Sequence, residues 1–353
     1  MKSAQLIQSL NQLGLTSQIL EADGGGHLIV LERGGRVIGV YSEEHSENVI
    51  WVHPQLSDTD LAYGQYVSGI DWNIGGDRTW ISPEVEFNVA DTSSFWESYR
   101  VQPSIDPGHY TLDSKEKGCL TLQQNLVVDA YRAQKQLTLD LKKRICLIPD
   151  PLKSIQKFHT PISYAYLGYS MENTLTILND ESVSLSLWNL VQLPAGGEIV
   201  VPTRGKAVVH DFFQPTGPSH LSVLPGEVRF KLDAQSQHKI SIKVNDVTGR
   251  AGYIRKGKDG KHYLFIRQFD VDASAEYGDV PAHALSDKGH CVQCYNDSGD
   301  LGQFGELEYH TPMLDTSSGN KTLQDNNQVW CYSGKLEDML RIQQSLLDLL
   351  TNK

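Results

Sequence analysis

The sequence predicts an all-β protein, a large antiparallel sandwich that carries a short helix near each end. Most of the chain shows period-two alternation or short β-branched and aromatic runs, as in Arg36–Tyr41 and His262–Phe269. Turn sequences such as Arg33-Gly34-Gly35 and Lys258-Asp259-Gly260 separate these runs. Thirty glycines and 14 prolines suit a chain with many corners. Regular strand–helix alternation is missing from the sequence, which argues against an α/β fold.

The strands follow one another through the chain, and each is predicted from its own run of alternating or β-branched residues. The predicted strands are His27–Glu32, Arg36–Tyr41, Asn48–Val52, Glu84–Val89, Leu120–Asp129, Gln136–Leu147, Thr174–Asn179, Ser182–Leu193, Glu227–Leu232, Lys239–Val244, His262–Phe269, Cys291–Tyr295, Phe304–Tyr309 and Gln328–Tyr332.

Apolar residues recur with helical spacing only near the two ends of the sequence. We therefore divide the chain into an N-terminal helix (1–20), a β-supersandwich domain (21–334) and a C-terminal helix (335–353). We expect the helices to cover a sheet edge or end, which prevents strand-to-strand aggregation. The apolar stripe of the C-terminal helix offers a partner interface as the alternative. The stretches 151–161 and 202–226 are either domain joints or loops of one sandwich.

The charge of the chain restricts its partners. Lys and Arg number 31 and Asp and Glu number 43, which gives a net charge of −12. Nucleic acids and anionic membranes attract positive fields, so we expect neither as a partner. No apolar run approaches the roughly 20 residues of a membrane-spanning helix, and the N-terminus lacks the apolar block of a signal peptide. Five cysteines make no disulfide framework. A cytoplasmic protein is the resulting prediction.

Three segments, taken in order, suggest a family. They are Gly75-Gly76-Asp77-Arg78-Thr79-Trp80-Ile81-Ser82-Pro83-Glu84, then Leu187-Trp188-Asn189-Leu190-Val191-Gln192-Leu193-Pro194-Ala195-Gly196-Gly197, and Phe304-Gly305-Glu306-Leu307-Glu308-Tyr309-His310-Thr311-Pro312. Together they resemble the galactose mutarotase-like superfamily, over roughly residues 25–335, and most closely its poorly characterised bacterial branch. The resemblance implies a galactose mutarotase-like β-supersandwich with a carbohydrate cleft on one sheet.

The third segment is the candidate catalytic strand. Interconversion of sugar anomers needs a base for the anomeric hydroxyl and an acid for the ring oxygen. Alternation along a strand places Glu306, Glu308 and His310 on one face. The family's Leu-Glu-Thr-Gln segment matches 307–310, which implies Glu308 as the general base. His310 is the candidate acid, and His159, His210 and His283 are further candidates without a motif.

The family's two conserved-motif histidines have no counterpart here, because 73–76 and 185–189 contain no histidine. This departure favours a noncatalytic glycan-binding module as the alternative to an epimerase. A third hypothesis is a polysaccharide lyase or hydrolase on the same scaffold, with Arg267 as the uronate-binding cation and Tyr295 as the base.

Residues that bind a sugar are expected beside the catalytic strand. Segment 75–84 is interpreted as a binding loop, in which Arg78 offers a fork of donors and Trp80 a flat surface for a pyranose. Alternatively Trp80 fills the core and Arg78 pairs with Asp77 or Glu84. The expected substrate-binding set is Arg78, Trp80, Asp77, Trp188, Arg267, Glu306 and Tyr295.

No cofactor or metal is expected. Cys291 and Cys294 point to opposite faces of a strand, so their CxxC spacing does not form a zinc site. The acidic segment Asp270–Glu276 has oxygen ligands at alternate positions, somewhat like a calcium loop. It lacks the turn glycine and the closing acidic residue of that motif. A solvated loop is the preferred interpretation, and bound calcium is the alternative.

Overall fold

The computed structural model describes residues 1–69, 71–154, 160–281, 283–314, 316 and 319–347. In it, the strands with period-two alternation form two large antiparallel sheets that pack face to face. Within these residues, the first sheet has nine strands, in the spatial order β1 (Ser17–Glu21), β2 (His27–Leu31), β3 (Arg36–Tyr41), β4 (Asp77–Ser82), β9 (Ser186–Pro194), β17 (Phe304–His310), β16 (His290–Asn296), β13 (His238–Lys243) and β11 (Val209–Asp211).

The second sheet also has nine strands within the described residues. Their order is β12 (Leu221–Leu232), β10 (Gly197–Lys206), β14 (Arg250–Lys256), β15 (His262–Phe269), β18 (Thr322–Gly334), β8 (Tyr164–Ile177), β7 (Lys135–Ile148), β6 (Cys119–Ala130) and β5 (Thr111–Glu116). The predicted all-β sandwich is therefore confirmed.

The inner faces of the two sheets form the main core. Leu187 and Leu307 of the first sheet and Leu139 and Phe265 of the second are fully or almost fully buried in it. Burial of such side chains is the main favourable term in folding, at about 25 cal/mol per Å² of apolar surface.

Helices cover the outer faces of the sheets and not their edges, so the expected edge position was wrong. Helix α1 (Ser3–Gln12) packs Leu6 and Leu10 onto Ile38 of β3. Helix α5 (Leu336–Leu347) packs Ile342 against the central strands of the second sheet. Each helix has one apolar stripe, and a broad sheet face buries more of it than an edge does. Residues 348–353 lie outside the described residues, and the boundaries at 20 and 334 stay predictions.

The remaining helices are short and lie in the connections. They are α2 (Thr59–Ala62), α3 (Glu84–Phe87), α4 (Phe95–Ser98), a π-helical turn (Tyr63–Val67) and the 3₁₀ turns Pro54–Ser57, Thr92–Ser94 and Pro151–Lys153. No helix in the described ranges has the length and apolar character needed to cross a bilayer.

Two segments differ from their predicted structure around β4. Residues 84–89 were predicted as a strand, but α3 begins there, because Pro83 has no N–H for a sheet and Glu84 and Glu86 favour a helix N-terminus. The predicted binding loop 75–84 contains β4 itself. The predicted strand 48–52 makes one isolated bridge, from Val52 to Gly75.

One cysteine pair is oxidised, although no disulfide framework was expected. Cys119 and Cys146 stand directly opposite each other on β6 and β7 and form a disulfide. Cys291, Cys294 and Cys331 are free and buried. The cytoplasmic location stays a prediction.

Candidate functional site

Strand pairing gathers one set of side chains on the outer face of the first sheet. Residues directly opposite each other on paired strands share a face. The register pairs Trp80 with Trp188, and Trp188 with His310. It also pairs Glu306 with Tyr295, and Tyr295 with Lys239. The alternation predicted for 306, 308 and 310 therefore extends across five strands.

A cavity of about 410 Å³ opens on this face. Its aromatic wall comes from the strands and from the loops above them, and includes Trp72, Trp80, Trp96, Trp188, Phe213 and Tyr295. Its charged side chains are Arg78, Glu84, Lys239 and Glu306. The volume lies within the range of about 300–1,000 Å³ that is usual for small-molecule sites.

Arg78 is the cation at one side of the cavity. Its Nη2 donates to Glu306 Oε1 at 3.0 Å, and its guanidinium lies 5.3 Å and 4.7 Å from the ring centroids of Trp72 and Trp80. Both contacts fix a planar donor group at the cavity wall. Arg78 pairs with neither Asp77 nor Glu84, the local acids considered from the sequence, because they lie on other faces or elements.

Asp106 supports this wall from behind, and the sequence provided no signal for it. Trp80 Nε1 donates to Asp106 Oδ2 at 2.9 Å, and Arg78 Nε lies 3.6 Å from the same oxygen. The other carboxylate oxygen pairs with the buried Arg36. One loop aspartate therefore holds both the indole and the guanidinium of the cavity in place.

Lys239 is the second cation, also absent from the predicted set. Its Nζ lies 3.4 Å from Glu308 Oε2 and 4.0 Å from Glu84 Oε2, and 4.8 Å from the ring centroid of Trp188. Burial acts to lower the pKa of Lys239, but Glu308 and Glu84 outweigh burial and raise it. Lys239 is thus a charged ammonium that lines the cavity.

Glu84 is a third group absent from the predicted site set, because it was considered only as a local partner of Arg78. Tyr99 donates its hydroxyl proton to Glu84 Oε1 at 2.9 Å. Burial raises the pKa of Glu84, against the opposing effect of Lys239. A carboxyl with a raised pKa on a cavity wall is suited to proton transfer.

The predicted base, Glu308, lies beneath the cavity wall and does not line it. Its Oε2 accepts from Trp188 Nε1 at 2.8 Å, and its Oε1 has no hydrogen-bond partner. Burial raises the pKa of Glu308 to about 7, although Lys239 favours the ionised form. Lys239 and Trp188 separate this carboxyl from the cavity.

The predicted acid, His310, is also behind the wall. Its ring stacks on Trp188 with centroids 5.4 Å apart, its Nδ1 lies 3.1 Å from Ser82 Oγ, and its Nε2 lies 3.7 Å from Asp279 Oδ2. Burial lowers the pKa of His310 to about 4. A neutral, fully buried imidazole in this position supports Trp188.

Asp77 and Arg267 are not brought to the cavity. They form an ion pair with each other between the two sheets, where Tyr169 donates to Asp77 Oδ2 at 2.6 Å. Alternation explains the difference, because Asp77 precedes Arg78 and therefore points to the opposite face. Tyr295 does line the cavity, so the Arg267–Tyr295 pair required by the lyase hypothesis is not formed.

The remaining candidates are dispersed. His283 lines the cavity, His210 lies on β11, and His159 falls outside the described residues. In segment 270–276, Asp272 Oδ1 accepts from the backbone N–H and hydroxyl of Ser274, and the side chains of Asp272 and Ser274 are exposed.

Solved structures share the fold of this chain over most of its length. A galactose mutarotase related enzyme from Lactobacillus acidophilus matches with a TM-score of 0.50 and 8% identity, covering 89% of this chain and 96% of that one. A galactose mutarotase-like protein from Clostridium acetobutylicum matches with a TM-score of 0.48 and 10% identity, covering 90% and 98%. At these identities the likeness shows the fold alone. No curated protein matches the sequence.

A family model matches residues 12–353, almost the whole chain, and its description is a family of unknown function, DUF6786. The fold predicted from the three segments is confirmed by the structural matches. The chain therefore belongs to family DUF6786, and its fold is galactose mutarotase-like.

Proposed function

We propose that the cavity on the outer face of the first sheet binds carbohydrate. The observation that carries the proposal is the combination of indole rings and ionised side chains on one cavity wall. A sugar ring presents an apolar C–H face and a rim of hydroxyl groups. Aromatic faces suit the former, and Arg78, Glu306 and Lys239 supply donors and acceptors for the latter.

The exposed rim of the cavity gives the sharpest variant. Trp96 is 63% exposed and contacts Phe213 at a centroid distance of 5.7 Å, so its removal leaves the sheets intact. Trp80 is a poorer choice, because its indole is buried and bonded to Asp106.

Saturation-transfer NMR and calorimetry with a panel of mono- and oligosaccharides test the proposal. We expect Trp96→Ala to lower the affinity for a bound sugar by about tenfold, or ~1.4 kcal/mol. Tyr63→Ala is the matched control, since Tyr63 is also an exposed aromatic (54%) but lies outside the cavity. No binding of any sugar, or equal losses in both variants, would contradict the proposal.

A second candidate function is sugar 1-epimerase activity with Glu308 as the base. The Glu308 carboxylate lies 3.4 Å from Lys239 on the cavity wall, and burial raises its pKa to about 7, which suits proton exchange at neutral pH and favours the candidate. Lys239 lines the cavity and contacts Glu308, so in this scheme Lys239 gives one proton to Glu308 Oε2 as it accepts one from the anomeric hydroxyl and stays an ammonium. His310 acts in this scheme by holding Trp188.

NMR exchange spectroscopy on aldose anomers separates the two candidates. An epimerase increases the anomer exchange rate, and Glu308→Gln removes the increase while sugar binding persists. A binding module leaves the exchange rate of every bound aldose unchanged. The second result would reject the epimerase and keep the carbohydrate site.

A further inference from the structure

A second cluster of functional side chains lies at the edge of the first sheet, on the same face as the cavity. His210 belongs to the edge strand β11, His290 begins β16, and Asp287 precedes it in the connecting loop. One ligand atom from each of these three residues lies within 4.8 Å of the other two. Among the described residues, this is the group of three or more His, Cys, Asp or Glu side chains whose ligand atoms come so close together.

The geometry centres on one carboxylate oxygen. Asp287 Oδ2 lies 2.8 Å from His210 Nδ1 and 3.3 Å from His290 Nε2. The two imidazole rings have centroids 5.0 Å apart and are nearly perpendicular. Three donor atoms thus converge on one small volume from three separate segments of the chain.

Neighbouring residues orient these donors. Ser241 Oγ lies 2.6 Å from His290 Nδ1, which turns the other ring nitrogen of His290 toward Asp287. Lys243 pairs with Asp287 Oδ1 and leaves Oδ2 for the two histidines. Metal-bound histidines are commonly held through their second ring nitrogen in this way.

The geometry points to a divalent transition-metal site formed by His210, Asp287 and His290. Two imidazoles and one carboxylate are the donors that zinc, cobalt and related ions prefer, whereas calcium and magnesium prefer oxygen alone. His210 and Asp287 are partly exposed, so an ion can enter from solvent and keep open coordination positions. The bound ion ties the edge strand β11 to β16.

The chain contains an internal comparison for this site. His220 Nε2 lies 3.0 Å from Asp233 Oδ2, and Lys231 Nζ lies 3.0 Å from the same oxygen. The nearby His238 has its Nε2 beside Ser236 Oγ at 2.9 Å, so this group lacks the convergence found around Asp287. Both places therefore contain a histidine, an aspartate and a lysine in contact, but only Asp287 has a second histidine beside the same carboxylate oxygen.

Titration of the purified chain with Co²⁺, followed by visible absorption, tests the site. We expect one Co²⁺ per chain, and His210→Ala lowers the affinity at least about tenfold, since even the loss of a residue that only holds a metal ligand costs about 10–100-fold. His220→Ala is the matched control and retains the wild-type affinity. Equal affinities of the wild type and His210→Ala, or no binding by the wild type, would overturn the inference.

Thermal unfolding with and without Zn²⁺ provides a second measurement. An ion that binds the folded state raises the Tm of the wild type and of His220→Ala. It leaves the Tm of His210→Ala and Asp287→Asn unchanged. A Zn²⁺-induced rise of equal size in all four proteins would place the ion elsewhere and also overturn the inference.

Discussion

Asp77 and Arg78 are consecutive residues of one strand, yet they belong to different regions of the molecule. Asp77 pairs with Arg267 between the sheets, where both side chains are 1% exposed. Arg78 pairs with Glu306 at the cavity, where the carboxylate is 11% exposed. The inner pair is closed by protein on all sides, whereas the outer pair borders a space that a ligand can fill.

The two networks also differ in their surroundings. Beside the inner pair, the hydroxyl of Tyr169 donates to Asp77, and the amides of Asn173 and Asn189 donate to the buried carboxylate of Asp325. Around the outer pair, indole rings leave one side open to the cavity. The inner charges therefore join the two sheets, whereas the outer charges border the cavity.

Replacing the carboxylate of each pair by an amide, in Asp77→Asn and Glu306→Gln, tests the difference between the two pairs most directly. Asp77→Asn leaves the Arg267 guanidinium buried without its counter-charge, and we expect a loss of about 3–5 kcal/mol in the free energy of unfolding. Urea-induced unfolding measures it. A loss below about 1 kcal/mol would show that the inner pair is not structural.

The hydroxyl of Tyr169 gives a smaller effect in the same region. Tyr169→Phe removes one hydrogen bond to the Asp77 carboxylate while the ring stays packed. We expect a loss of about 1.5–3 kcal/mol, the usual value for a hydrogen bond to a charged group. In the Asp77→Asn background the same change should cost less, which a double-mutant cycle by urea unfolding would measure. Additive losses would contradict this coupling.

The pH dependence of stability tests the two titratable groups behind the cavity wall, Glu308 and His310. The pKa of Glu308 is raised from 4.5 to about 7, so between these values the folded state keeps a proton that the unfolded state has released. Stability therefore falls as pH rises through this range. The pKa of His310 is lowered from 6.5 to about 4, so its contribution rises with pH below 6.5.

Single variants separate these opposing slopes. Between about pH 4.5 and 6.5, Glu308→Gln should make stability rise more steeply with pH than in the wild type, by at most about 1.4 kcal/mol per pH unit. His310→Asn should change the slope in the opposite direction. Urea unfolding at several pH values measures both, and identical slopes in all three proteins would refute these pKa shifts.

Glu306→Gln is expected to have the smallest effect on stability. Arg78 keeps Asp106 at 3.6 Å after the change, so the free energy of unfolding should fall by about 1 kcal/mol or less. Sugar binding should weaken, because an acceptor at the cavity wall is lost. A loss as large as that of Asp77→Asn, with binding unchanged, would assign the outer pair to the structure instead.

Most strands could be predicted because a strand depends on local alternation and turn chemistry. Predicted strands such as 36–41 and 262–269 match β3 and β15. Strand β4 was interpreted as a loop, because its polar residues Asp77 and Arg78 obscure the apolar pattern. Asp77 pairs with Arg267 and Arg78 with Glu306, and these partners are distant in sequence, so a local pattern does not contain them.

The candidate site could be predicted only in part. Arg78, Trp80, Trp188, Glu306 and Tyr295 meet at the cavity, while Lys239, Glu84 and Asp106 were missed. Lys239 lies in the alternating strand β13, and only its contact with Glu308 in the structure indicates its role. Asp106 lies in a loop, and its function depends on two side chains of another element.

By itself, the sequence determined the all-β class, the alternation of faces along each strand and the ordered segments that resemble mutarotase-like proteins. Only the tertiary structure decided which face of β4, β9 and β17 became the cavity wall and which became the core. The physical reason is that period-two alternation defines two faces without assigning either to solvent, and that the ion pairs join residues as far apart as Arg78 and Glu306, 228 positions along the chain.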